Sequence, residues 1–428
     1  MPCAIPPPAW EFGPAPGICA GPPLGLSRTG GLLLSVLLAS SPYLVWYGQE
    51  AKMYTLLLAL ILLAFIAYLK ALSFLPYTLR AFGRGRVGVG VWWSIFVAAT
   101  SLSFYTHILA PLMLPVYGLV ALLHRRQLRR YWRGWLFSMG LLTLPYLPLL
   151  IWQAALLRDG FQSGHPFYPL QKQFLILLQL YSQGLVSFAG MLPLILFVFL
   201  FLGGLLLNQR TSHQALPLSR TGRIILALWA LLPPLLIYLI SLRIQVFEDR
   251  YLIYITPAFY LLIVVGLLLI RQYSRLLAEL VLSLILLVNA SGIWQQQHQP
   301  IKADFRAAAA YLAGQPSPPS PIMVQMPYLQ YTLDYYYHGK YKFLEGLWTN
   351  NGRSEENVDA EMSTLTAGLT DLWLVVSEEE SWDSRRLTRA WLDAHADLIE
   401  QATFTRVAVY HYRFRLGAIE SQSLGSKE

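Results

Sequence analysis

Nine apolar blocks run through the first 299 residues, at about 29–48, 51–72, 90–106, 108–124, 135–156, 186–207, 222–242, 252–270 and 276–294. Each holds about 17 to 24 residues, the length a helix needs to cross a hydrocarbon core of about 30 Å. Only 13% of the chain is charged, against about 25% in soluble domains. The pattern predicts a polytopic α-helical membrane protein of about nine spans. The blocks 90–106 and 108–124 are parted by a single turn at Thr106-His107.

Charge orients these spans. Residues 1–299 carry 20 Lys and Arg against six Asp and Glu, +14; residues 300–428 carry 12 against 17, −5. With Glu50 placed outside, Arg28 and the connections at 70–89, 125–133, 208–223 and 271–275 fall on the cytoplasmic side. They hold 15 Lys and Arg, while the opposite side holds five: Lys52, Arg158, Lys172, Arg243 and Arg250. Loops rich in Lys and Arg stay in the cytoplasm, so this alternation supports the span count and puts the C-terminal part outside. The basic run HRRQLRRYWR, 124–133, is explained by the same rule, and nucleic acid is not an expected partner.

Residues 1–27 are rich in Pro and Gly and lack the basic start and apolar run of a signal peptide, so disorder is expected there. Residues 28–296 form the membrane domain. The connection 157–185 ends in FLILLQLYSQGL, amphipathic enough to lie along a membrane surface. From 297 to 417 the pattern changes to a small α/β domain. ADFRAAAAYLAG reads as a helix closed by Gly314, PIMVQM as a strand and YLQYTLDYYYHG as a helix. LWLVVSE reads as a strand, SWDSRRLTRAWLDAHADLI as one helix and VAVYHYRFR as a final alternating strand. Residues 418–428 read as a disordered tail. Cys3 and Cys19 give neither metal spacing nor a disulfide framework. No Gly-rich phosphate loop and no HExxH occurs, so no cofactor is assigned.

The ionisable residues at span ends are the candidates for chemistry. In SPYLVWYGQEAKMY, 41–54 and its preceding Ser40, Tyr47, Glu50 and Tyr54 would share one face of a helix, with Lys52 off it. A carboxylate there can accept a proton, bind a divalent metal or orient a sugar hydroxyl. The plainer reading is an interfacial anchor of Trp46, Tyr47, Lys52 and Tyr54. In FEDRY, 247–251, Arg250 can grip a phosphate with its planar fork, or pair with Glu248 or Asp249. His107, in FYTH, can contact a polar ligand or be an ordinary turn residue. The loop HPFYP, 165–169, can line a groove or be plain turn chemistry. The sequon at Asn289 falls within a span, where it would not be glycosylated.

Taken in order, SPYLVWYGQEAKMY, FYTH, EDRYLIYITP and ADFRAAAAYL resemble the bacterial glycosyltransferase family 39-like proteins. These belong to the GT-C superfamily, with the protein O-mannosyltransferases and the aminoarabinose lipid A transferase. The likeness covers about residues 30–415. It implies a GT-C-like enzyme of the bacterial plasma membrane, with its site on the extracytoplasmic face. Such enzymes move a sugar from a polyprenyl-phosphate carrier to a lipid, glycan or protein acceptor. By this resemblance Arg250, with Tyr251, stabilises the leaving lipid phosphate. Glu50 is the catalytic carboxylate, and Lys52 (usually Arg in the family), Tyr54 and His107 complete the substrate site. Family members usually begin with a further span and a long outer loop bearing an acidic motif. Here Glu11 is the only acid before Glu50, so the expectation is a truncated chain or a misassigned start. The alternative is a non-catalytic protein of the same fold that binds polyprenyl lipid or serves as an assembly subunit. A transporter would carry charges at mid-span, which these blocks lack.

Overall fold

The computed structural model describes residues 28–50, 52–73, 85–158, 165–186, 191–207 and 218–415. The expected disordered segments 1–27 and 418–428, and residues 74–84 and 208–217 of two connections, lie outside them. The chain is mostly helical and divides into two compact units, one reaching Gln296 and one formed mainly by 297 onward.

The first unit is a bundle of eleven helices among the described residues: α1 (Arg28–Ser40), α2 (Pro42–Gly48), α3 (Tyr54–Ser73), α4 (Gly85–Thr106), α5 (Met113–Leu123), α6 (Arg125–Arg158), α7 (Leu170–Gln183), α8 (Leu192–Leu206), α9 (Arg220–Ser241), α10 (Thr256–Tyr273) and α11 (Arg275–His298). Among the described residues, four helices are long and apolar enough to cross a membrane, over Tyr54–Leu72, Arg220–Ser241, Asp249–Tyr273 and Arg275–His298; the bent pair α1–α2 makes a fifth if counted as one span. These helices mark a membrane-embedded protein.

α10 is its axis. Every residue from Leu252 to Val265 is buried, as expected of a helix apolar all round. α8 crosses it backbone to backbone. A Cβ on Gly204 would overlap the Leu262 carbonyl, and one on Gly266 would overlap the Leu200 carbonyl. Small residues permit this approach, and dispersion then holds the pair where no hydrophobic force acts between helices.

The break between α1 and α2 bends the chain by 62°. Pro42 lacks an N–H and disfavours a helical residue before it; Ser41 is accordingly extended and caps α2, accepting from the Leu44 amide at 3.4 Å. Three buried polar side chains hold the break. Asn289 donates to Ser40 Oγ at 3.0 Å, Tyr260 to Ser41 Oγ at 2.8 Å, and Gln296 to the Pro42 carbonyl at 2.9 Å. Asn289 is fully buried within α11, so the sequon is inaccessible in the folded chain.

Two sequence expectations in this unit are corrected. Residues 125–133 are the first turns of α6, a continuous helix of 34 residues; no Gly or Pro interrupts the run before Gly134. Tyr47, Glu50 and Tyr54 do not share one helix, because α2 ends at Gly48 and α3 starts at Tyr54. The amphipathic segment after 169 is helix α7. Its Gln173, Leu177 and Tyr181 recur at four-residue spacing and are buried.

The second unit is a five-stranded mixed sheet of β1 (Ile322–Val324), β2 (Phe343–Glu345), β3 (Asp371–Val376), β4 (Ala396–Phe404) and β5 (Val407–Phe414), in the order β2-β1-β3-β5-β4. β1 pairs in parallel with β2 and β3; β5 pairs antiparallel with β3 and β4. Alternate side chains build two cores. Ile322, Val324 and Val375 face α12 (Phe305–Ala313) and α13 (Gln330–Tyr336). Met323, Leu372 and Leu374 face α14 (Glu355–Leu365) and α16 (Leu387–His395).

The single helix expected over SWDSRRLTRAWLDAHADLI is not formed. Short α15 (Glu379–Trp382) ends at Asp383, whose carboxylate turns to accept from the amides of Leu387 and Thr388 at 2.9 and 3.0 Å. It thereby starts α16 as a new helix. ADLI, the end of the expected helix, enters β4, where pairing with β5 overrides local propensity. β2 and α14 were not read from the sequence.

Candidate functional site

Connections far apart in sequence meet at one end of the first unit. The turn after α2 brings Glu50 and Lys52, α3 opens with Tyr54, and the end of α4 brings His107. The 3₁₀ segment Asp249–Ile255 that leads into α10 brings Arg250 and Tyr251. All six residues expected to act together are thus carried by adjoining turns.

Aromatic rings form the floor. Tyr47 lies edge-on to Tyr43 and Tyr54, with centroids 4.9 and 5.7 Å apart. His107 stands 6.1 Å from Tyr54 and 4.9 Å from Tyr251. The Arg250 guanidinium lies 5.9 Å from both the Tyr54 and Tyr251 ring centres, a distance at which ring faces attract a cation. Its Nε is 3.8 Å from Glu248 Oε2, and the side chain is 31% exposed. The guanidinium is therefore held in place yet open to an anionic ligand.

Glu50 pairs with Lys52 at 3.7 Å. Lys52 is 51% exposed, while Glu50 is only 15% exposed and its Oε2 makes no hydrogen bond. That oxygen faces Lys52 without a hydrogen bond, so the carboxylate has acceptor capacity left for a proton or a hydroxyl. His107 is buried, and its Nδ1 accepts from the Leu109 amide at 3.1 Å. That bond leaves the neutral ring its proton on Nε2. Burial, with the Arg250 charge, lowers the His107 pKa to about 4, so the ring is a neutral donor near pH 7.

The group that ties the cluster together is one that sequence reasoning missed. Asp249 accepts from the Tyr47 hydroxyl at 3.1 Å. Tyr43, fully buried, faces the same carboxylate, and Tyr181 packs edge-on to Tyr43 at 5.0 Å. The signal was present in Glu248-Asp249-Arg250: the acid nearer the apolar run is the one drawn inward. From the HPFYP loop, Tyr168 packs on Phe247 at 5.8 Å and joins the rim. Among the described residues, no three His, Cys, Asp or Glu side chains converge to hold a metal ion.

The arrangement can bind an anion at Arg250, offer a carboxylate at Glu50 and stack a ring-shaped ligand on tyrosines. Compared with protein families, with characterised proteins and with solved structures, the chain finds no match.

Proposed function

We propose that the chain is a membrane glycosyltransferase that takes a sugar from a polyprenyl-phosphate carrier and gives it to a lipid, glycan or protein acceptor. The observation that carries this reading is Arg250, lodged against Tyr54 and Tyr251, with the part-buried Glu50 acting on the same Tyr54. In the proposed reaction Glu50 takes the proton of an acceptor hydroxyl, whose oxygen bonds to the anomeric carbon. The bond from that carbon to the lipid phosphate breaks, and its electron pair leaves with the phosphate. Arg250 meets the charge that develops there. Lys52, Tyr54, His107 and Tyr251 hold the donor.

A GT-C-like architecture of about nine spans is part of the proposal. It is supported by helices over every one of the nine apolar blocks, including the shorter ones at Ala110–Leu123 and Leu192–Leu206. The excess of Lys and Arg in alternate connections supports an orientation with this end and the C-terminal domain outside the cytoplasm; the bacterial plasma membrane is what the family resemblance implies.

The test is sugar transfer in membranes from radiolabelled polyprenyl-phosphate donors. Transfer that falls at least about 100-fold in both Glu50→Gln and Arg250→Ala supports the reading, since acid–base groups and charge stabilisers each contribute about that much or more. No transfer by the unaltered chain, across several sugars, would replace it with a non-catalytic protein that binds polyprenyl lipid.

A further inference from the structure

Far from this cluster, at the other end of α9, the first unit carries a second built feature. A groove of about 660 Å³ opens between α8 and α9, within the roughly 300–1,000 Å³ of ligand sites. Arg220, Ile224, Leu228, Leu231 and Leu235 line it. Steps of three and four residues put them on one face of α9. From Arg220 to Leu235 that face runs about 22 Å along the helix axis, at about 1.5 Å per residue.

The two ends of the face differ in chemistry. Arg220 and Arg223 stand at the start; the remainder is aliphatic, and among the described residues no Asp or Glu lines the groove. Arg220 is exposed. Arg223 is only 7% exposed and donates through Nη1 to the Leu207 carbonyl at the end of α8, so its position is fixed before any ligand arrives. Leu231 also lines a second cavity of about 150 Å³, together with Pro234, Ile255 and Phe259.

We propose that this groove binds one anionic phospholipid, with its phosphate at Arg220 and Arg223 and one acyl chain along the α8–α9 seam. Basic pockets between membrane helices select anionic headgroups, and the guanidinium fork matches phosphate oxygens. A zwitterionic lipid fits the tail slot equally but gains less at the two cations. The site is separate from the Arg250 cluster and does not depend on sugar transfer.

The experiment is native mass spectrometry of the full chain in detergent, titrated with phosphatidylglycerol or phosphatidylcholine, beside thermal melting in each. Phosphatidylglycerol should be retained at one per chain and raise Tm more than phosphatidylcholine. Arg220→Gln should weaken phosphatidylglycerol retention several-fold, and the double variant with Arg223→Gln at least ten-fold, with phosphatidylcholine unchanged. Leu228→Trp, which fills the tail slot and spares both cations, should weaken both lipids. Arg220→Gln alters an exposed side chain, so it keeps the test decisive if the double variant does not fold. Equal retention of the two lipids overturns the proposal, as does phosphatidylglycerol retention unaffected by Arg220→Gln. Displacement of phosphatidylglycerol by equimolar polyprenyl phosphate would overturn it too, by giving the groove a different occupant.

Discussion

The Tyr47 hydroxyl donates to Asp249 Oδ2 at 3.1 Å and so joins positions 202 residues apart. One partner ends the short helix α2; the other begins the segment that feeds the central α10. Glu50 and Arg250 each lie a few residues from this bond, so it sets the register of the two turns that carry the candidate chemistry. Tyr47→Phe removes the donor and leaves a half-buried carboxylate short of one partner, a loss of about 1–3 kcal/mol. Melting of Tyr47→Phe, Asp249→Asn and the double variant in detergent checks it. The two changes should be strongly non-additive; simple additivity within about 0.3 kcal/mol would show that the bond is not formed.

His107 makes stability depend on pH in a defined window. Its folded pKa, lowered to about 4 by burial and by Arg250, lies below the ordinary value of 6.5. Between those two values the unfolded chain binds a proton that the folded chain refuses. Stability contributed by the neutral ring is therefore complete above pH 6.5 and declines as pH falls toward 4, then levels off. At about 1.4 kcal/mol per unit the total approaches roughly 3 kcal/mol. Melting between pH 7.5 and 4.5 should show a shallower decline in His107→Gln than in the unaltered chain. Parallel curves would place the ring in water.

Gly204 and Gly266 test the core of the bundle. Each faces a carbonyl of the other helix with no room for a Cβ, so even alanine must push α8 and α10 apart. Gly204→Ala or Gly266→Ala should cost about 1–3 kcal/mol, and Leu at either position should prevent a stable fold. An unchanged Tm in Gly266→Ala would mean that the crossing is looser than this geometry.

The long apolar helices were legible because their signal is long and simple, and the breaks at His107 and Ser274 fall where polar residues part the apolar blocks; the 62° bend at Pro42 was not, since it lies inside the block 29–48. Local chemistry was less legible. Tyr47, Glu50 and Tyr54 meet, but across a turn and not along a helix, since Gly48 and the Glu50–Lys52 bend interrupt it. Asp249 was not legible as a site residue because adjacency to Arg250 suggests a surface ion pair, whereas its partner comes from α2. In the C-terminal unit, β4 followed a sequence with helical spacing. No window of that segment contains the β5 strand that captures it.

Asp383 concentrates that last point in one side chain. It is fully buried, and it accepts from Thr349 Oγ1 at 2.5 Å, Gln325 Nε2 at 3.2 Å and the amides of Leu387 and Thr388 at 2.9 and 3.0 Å. Four donors from three parts of the chain thus depend on one carboxylate. Two are backbone amides at the start of α16. Asp383→Ala leaves all four buried without an acceptor, and the cost should be on the order of 3 kcal/mol or more, centred on α16 and the end of β1. Asp383→Asn keeps one acceptor oxygen and should cost less. Amide hydrogen exchange resolved along the chain checks both size and place. Protection should fall first in Leu387–His395, and an alanine variant with that helix as protected as before would show that the carboxylate does not start it.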